Sequence, residues 1–167
     1  PRWTVANAKA RQQTDRVFGN FNLSLALNEW MNLTYRLGLD TYSEFNTYGQ
    51  NRGGVDGDPT GIYRTITARN TIWDHSAILT FDKNITEDLN LKVIAGATSR
   101  RDEYRQDGVE STNQIVFGVM EHFNFVNSST ASSFFSGTNL ASTSEVNTIG
   151  VYSDITLGYK DFLYLNG

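Results

Sequence analysis

The side chains best suited to binding a polar ligand stand at alternate positions in two segments of the sequence. In chain order they are Arg36, Asp40, Tyr42, Glu44, Thr98, Arg100 and Asp102. Residues two apart share one face of a β-strand, so each segment would present a row of charged and hydrogen-bonding groups on one side. Such a row can bind a polar ligand, or its members can pair with one another and with water. The sequence leaves both interpretations open.

Sequence motifs for covalent or metal chemistry are absent. The chain contains no Gly-x-Ser-x-Gly elbow, no phosphate-binding loop and no His-Glu-x-x-His pair. The two histidines, His75 and His122, are far apart and have no neighbours at metal-ligand spacing. Asp56-Gly57-Asp58 lacks the ordered ligand series of a calcium-binding EF-hand loop. We therefore expect a chain that is not an enzyme and that needs neither metal nor cofactor.

The composition narrows the class of protein. A net charge of −4 and a pI near 5.1 argue against nucleic acid as a partner. Without cysteine, the 167 residues can form no disulfide and no thiolate metal site. Aromatic residues make up 13% of the chain and only 2 residues are prolines. This composition is typical of a β-rich protein.

Strict alternation of apolar and other residues indicates strands with two unlike faces. In Met31–Asp40 every odd position is apolar, counting Tyr35, and every even position is polar or glycine. A strand in a soluble domain has about 5–6 residues, whereas a tilted membrane-spanning strand needs about 9–11. Similar runs, with Ile78 and Ile94 as exceptions, predict about six strands; they lie at 17–27, 31–45, 73–81, 89–97, 149–157 and 162–165.

The predicted connections between these strands alternate in length. Short turns are predicted at 28–30, 84–88 and 159–161, and long loops at about 46–71 and 106–143. Transmembrane β-barrels have short turns at one rim and long extracellular loops at the other. The sequence therefore predicts an all-β fold, an antiparallel up-and-down transmembrane β-barrel of which about six strands are present.

Aromatic residues near the ends of the apolar stripes fit the two lipid–water interfaces of such a barrel. Phe45 and Trp73 are expected near the long-loop rim, and Phe81 and Tyr159 near the short-turn rim. His75, on the apolar face, is the weakest point of this pattern.

Two other classes of protein fit part of the pattern. A half-buried strand of a soluble carbohydrate-binding β-sandwich shows the same alternation, although a sandwich has no reason to separate short turns from long loops. A fragment of a secreted glycan-processing enzyme is the other alternative, and it would need a pair of carboxylates in a cleft.

Several motifs resemble the barrel region of SusC-like (RagA-type) TonB-dependent outer-membrane transporters. Their order and spacing match over most of the chain, least in the predicted long loops. The motifs are Asp15-Arg16, Gly19-Asn20, Trp30, Gly38-Leu39-Asp40-Thr41-Tyr42-Ser43, Arg100-Arg101-Asp102-Glu103-Tyr104 and Gly158-Tyr159-Lys160-Asp161-Phe162-Leu163-Tyr164-Leu165.

The resemblance implies a bacterial outer-membrane barrel of about 22 strands with a plugged lumen. It implies import of glycan oligosaccharides, or of peptides in some branches, together with a SusD-like lipoprotein and with energy from TonB. Because six strands cannot close such a barrel, we expect residues 1–167 to be a segment of one barrel domain in a longer chain, without the plug. Loop aromatics would stack on sugar rings, or pack the loops and contact the lipoprotein; they are Tyr48, Tyr63, Phe134 and Phe135.

Overall fold

The computed structural model describes residues 2–54, 59–131, 139–160 and 163–167, and it is almost entirely β-structure. The elements are α1 (Arg2–Asn7), β1 (Ala8–Asn28), β2 (Met31–Gln50), β3 (Ile62–Thr86), β4 (Leu89–Gln114), a 3-10 turn (His122–Asn124), β5 (Phe125–Ser129), β6 (Ser142–Tyr159) and β7 (Leu163–Asn166). Within these ranges no helix combines the length and the apolar character needed to cross a membrane.

All described strands belong to one seven-stranded sheet with the order β1-β2-β3-β4-β6-β7, while the short β5 pairs with β4. A two-residue turn at Glu29-Trp30 joins β1 to β2, and another at Glu87-Asp88 joins β3 to β4. The side-chain oxygen of Asn28 accepts a hydrogen bond from the Trp30 amide at 3.0 Å, as an Asx turn requires. This antiparallel all-β sheet confirms the predicted fold class, a partial barrel, with β5 as an additional short strand.

The predicted boundaries of the long loops are wrong. Residues 46–50 and 62–71, which were expected in a loop, belong to β2 and β3, and β4 continues as far as Gln114. Each of these strands therefore has 20 or more residues, well beyond its apolar stripe. The loop assignment failed because the alternation weakens beyond the stripe, whereas the backbone pairing between strands continues. The helix α1 was also not predicted.

The chain divides into two compact units, named here after the connections they contain. The loop-side unit comprises Pro1–Arg16, Thr41–Asn70 and Glu103–Ser144. The turn-side unit comprises Val17–Asp40, Thr71–Asp102 and Glu145–Gly167.

Among the described residues, the buried side chains lie in the loop-side unit. Its apolar core is small and consists of Ile62, Ala68, Phe125 and Leu140. The buried Gln114 amide donates to the Asn51 side-chain oxygen at 3.0 Å and accepts from the Arg52 amide at 3.0 Å. Because buried polar groups cost free energy unless they are hydrogen-bonded, this network holds Asn51 and Arg52, just after β2, against the end of β4.

Candidate functional site

The even-numbered face of β1, β2 and β3 in the turn-side unit is polar and forms an open cleft of about 630 Å³. Its polar and glycine lining consists of Asn20, Asn22, Ser24, Thr34, Arg36, Gly38, Asp74 and Ser76. The Ser24 hydroxyl and the Asn32 amide are hydrogen-bonded across β1 and β2 at 3.1 Å. The predicted site residue Arg36 is exposed in this cleft, among amide and hydroxyl groups that can donate to and accept from a polar ligand.

The other predicted site residues of the turn-side unit also lie at even-numbered positions of their strands. Arg100 and Asp102 come together, with Nη2 and Oδ2 3.8 Å apart, and both side chains are partly exposed. An exposed pair at this distance contributes little stability and leaves both groups accessible to water or ligand. Asp40 is half-buried on β2.

The predicted residues Tyr42 and Glu44 lie in the loop-side unit, where both are half-buried. Burial raises the pKa of the nearby Tyr104 phenol, and Tyr42 and Glu44 raise it further. Tyr104 therefore keeps its proton at neutral pH and donates to Gln106 at 2.7 Å. These contacts give the even-numbered face of the loop-side unit a fixed, uncharged phenol beside a carboxylate.

A second cleft, of about 560 Å³, lies within the loop-side unit between residues of β1, β2 and β3. Tyr48 and Arg64 line it, and the Arg64 guanidinium lies 5.6 Å from the centre of the Tyr48 ring. Arg64 Nε is 3.3 Å from a carboxylate oxygen of Glu110, whose side chain is only 1% exposed. The predicted loop aromatic Tyr48 is thus held in a strand beside a buried ion pair.

The sequence analysis did not identify the ion pair between Arg64 and Glu110. Both residues were assigned to loops, although they occupy even positions like the predicted site residues. Extending the alternation through β3 and β4 would have placed both on the even-numbered face, which on β3 also carries the buried Ile62 and Ala68. Their pairing itself joins positions far apart in the sequence and carries no local signal.

The odd-numbered face of the turn-side unit is apolar. A groove of about 320 Å³ runs between β1, β2 and β3, and its lining includes Val17, Phe21, Leu37, Leu39 and Trp73. Opposite faces of the same strands therefore carry opposite chemistry, as the alternation predicted.

His75 has a hydrogen-bond partner on this apolar face. Its Nδ1 lies 2.7 Å from the Tyr35 hydroxyl on the neighbouring strand. The pairing satisfies one ring nitrogen of His75 and the Tyr35 hydroxyl, which lowers the cost of placing His75 on the apolar stripe.

His122 is half-buried and belongs to a polar cluster of the loop-side unit. Its Nε2 lies 2.9 Å from the Thr65 hydroxyl, and its Nδ1 lies 2.8 Å from the hydroxyl of the fully buried Ser111. Burial lowers the pKa of His122, with Glu121 opposing that shift. The neutral imidazole thereby ties the connection between β4 and β5 to the sheet. The aromatic Tyr63, predicted to lie in a loop, packs against this ring with centroids 4.7 Å apart.

Some candidates lie outside the described residues, namely Asp56, Gly57, Asp58, Phe134, Phe135, Asp161 and Phe162. Among the described residues no group of three or more His, Cys, Asp or Glu side chains is arranged to hold a metal ion.

Solved structures with a similar fold include three of a peptide transporter named RagAB. The RagAB peptide transporter gives a TM-score of 0.78 at 12% identity, covering 99% of this chain and 18% of that chain. The RagAB peptide importer in its closed-closed state gives 0.79 at 13% identity, covering 96% and 17%. Its open-open state gives 0.68 at 14% identity, covering 99% and 18%.

At these identities the likenesses show the fold alone. The chain spans less than a fifth of the length of the chains it matches. No family model matches the sequence, and no curated protein matches it.

Proposed function

We propose that this chain forms part of the barrel wall of a bacterial outer-membrane transporter that imports oligomeric nutrients. The observation that carries the proposal is the opposite chemistry of the two faces of the turn-side unit. Its odd-numbered face exposes large apolar side chains, for example Phe21 at 57% and Val151 at 81%, whereas its even-numbered face forms a polar cleft. A barrel wall accounts for this contrast, because its apolar face would contact lipid and its polar face would line a water-filled lumen.

The apolar stripe has a limited height, as a bilayer requires. On β4 the odd-numbered positions become charged beyond the stripe, where Arg101 pairs with Glu145 at 3.3 Å and Arg105 with Asp107 at 2.9 Å. On β3 the apolar residues change from odd to even positions, since Ile62 and Ala68 are buried on the even-numbered side. An apolar stripe of about 9–11 residues with charged borders matches the hydrocarbon thickness that tilted strands span.

A soluble β-sandwich accounts less well for these features. A sandwich covers the apolar face of one sheet with a second sheet about 10 Å away. All described strands belong to one sheet, and in the turn-side unit large apolar side chains of its odd-numbered face are exposed, for example Val17 and Ile149. The single sheet therefore favours the barrel, in which lipid covers that face.

We propose further that the imported nutrient is an oligosaccharide or a short peptide that binds non-covalently to the even-numbered face. The amide, hydroxyl and guanidinium groups of Asn20, Ser24 and Arg36 can hydrogen-bond sugar hydroxyls or peptide groups. The resemblance of the sequence motifs favours glycans, and the names of the similar structures favour peptides. A SusD-like lipoprotein, and TonB acting through other parts of the chain, would complete the transporter.

Uptake in the source bacterium tests this function. Cells with and without the full-length gene, and cells without TonB, are given a labelled oligosaccharide mixture or a labelled peptide mixture. We expect uptake of one mixture to depend on both genes, which would also identify the substrate class. Uptake of both mixtures that is unchanged in both deletion strains, or a full-length protein that fractionates as a soluble species, would refute the proposal.

A further inference from the structure

We propose that Trp30, Phe81 and Lys83 form a binding site for the phosphate of an anionic phospholipid at the short-turn rim. The inference rests on the proposed function, because it requires the odd-numbered face of the turn-side unit to lie in a bilayer. It goes beyond that function by assigning a lipid-selective site to three named side chains.

The two aromatic rings form a fixed platform. The rings of Trp30 and Phe81 meet edge to face, with centroids 5.1 Å apart and an interplanar angle of 65°. The backbone at Trp30 is held on both sides, since its amide donates to Asn28 and its carbonyl accepts from the Asp82 amide at 2.9 Å. The indole therefore has a defined position at the end of the hairpin.

Lys83 lies where an apolar stripe would give way to the headgroup region. Phe81 and Lys83 occupy successive odd positions at the end of the stripe on β3, so an apolar ring is followed on the same face by a cation. The Lys83 ammonium lies 5.0 Å from the centre of the Trp30 ring. Lysine near an interface extends its charge toward the headgroups while its aliphatic stem covers apolar surface.

The charge of Lys83 is available to an anion. In the described part of the chain Lys83 makes no ion pair. The neighbouring Asp82 stands on the opposite face and accepts a hydrogen bond from Asn90 at 3.0 Å. The indole contacts one side of the ammonium, which leaves N–H donors for phosphate oxygens.

A second lysine at this rim provides a natural contrast. Lys160 lies 5.4 Å from the centre of the Tyr159 ring, but its ammonium is also 3.7 Å from a carboxylate oxygen of Asp88. That carboxylate competes with any phosphate for the same donors. We therefore expect Lys83, and not Lys160, to select for anionic lipid.

Native mass spectrometry of the full-length protein tests the site. The parent, Lys83→Gln and Lys160→Gln are reconstituted with equal amounts of phosphatidylglycerol and phosphatidylethanolamine, and the lipids retained after release are compared. We expect Lys83→Gln to lower the ratio of phosphatidylglycerol to phosphatidylethanolamine by about three- to fivefold. Lys160→Gln removes the same formal charge, and we expect it to leave the ratio close to that of the parent.

The outcomes separate this proposal from the proposed function. Equal ratios in all three proteins, or an equal decrease in both variants, would overturn the lipid site while leaving the transporter proposal intact. A parent protein that does not enter bilayers at all would overturn both.

Discussion

Exchanging the chemistry of two adjacent residues tests the lipid-facing assignment most directly. Leu37 lies on the odd-numbered face in the middle of the β2 stripe and lines both the apolar groove and the polar cleft, whereas Arg36 is exposed in the polar cleft. An arginine on the lipid face near the bilayer midplane costs about 2–4 kcal/mol, so Leu37→Arg should lower the free energy of unfolding by that amount. Arg36→Leu removes an exposed side chain and should change the free energy of unfolding by no more than about 0.5 kcal/mol.

The assay is equilibrium unfolding of the full-length protein in phospholipid vesicles, with guanidinium as denaturant. The matched variant Leu37→Ala separates the lost apolar side chain from the added charge. If Leu37→Arg and Arg36→Leu changed the free energy of unfolding equally in a bilayer, the two faces would not differ in their contact with lipid. The reasoning from alternation to lipid contact would then be wrong.

Three further predictions concern individual contacts. The pKa of His122 is lowered in the folded protein, whereas in the unfolded chain His122 has its ordinary pKa of 6.5. Below pH 6.5 the unfolded chain therefore binds a proton that the folded loop-side unit does not, and acidification through that pH should loosen the connection between β4 and β5. Hydrogen exchange at pH 7.5 and 5.5, corrected for intrinsic rates, measures this loosening, and persistence of the pH effect in His122→Asn would assign it to another group. Arg64→Ala leaves Glu110 buried without this partner and should lower the free energy of chemical unfolding by about 3 kcal/mol. The double variant Arg64→Met with Glu110→Leu should recover most of that loss. A double variant no more stable than Arg64→Ala would contradict this account. Gly96→Ala places a methyl group where the Tyr152 ring lies and should lower the free energy of unfolding by about 1–3 kcal/mol. Adding Tyr152→Ala should remove the clash. If the losses of stability from the two substitutions were strictly additive in a double-mutant cycle, the ring would move aside without cost.

The two faces and the hairpin turns could be predicted from the sequence because their signals are local. Side chains alternate between the faces of a strand with a period of two, so the order of residues such as Met31, Asn32 and Leu33 assigns each one to a face without knowledge of its partner strand. Asn28 also marks its turn locally, since its side chain hydrogen-bonds to the backbone two residues later.

Strand length and the polar pairings were decided by the tertiary structure. β2, β3 and β4 continue beyond the stripe because each backbone finds hydrogen-bond partners on a neighbouring strand, even where the side chains no longer alternate. The contact of Tyr35 with His75 and that of Thr65 with His122 join residues 40 and 57 positions apart. Such pairs depend on the register between strands, which the whole sheet sets, and no segment of the sequence encodes that register alone.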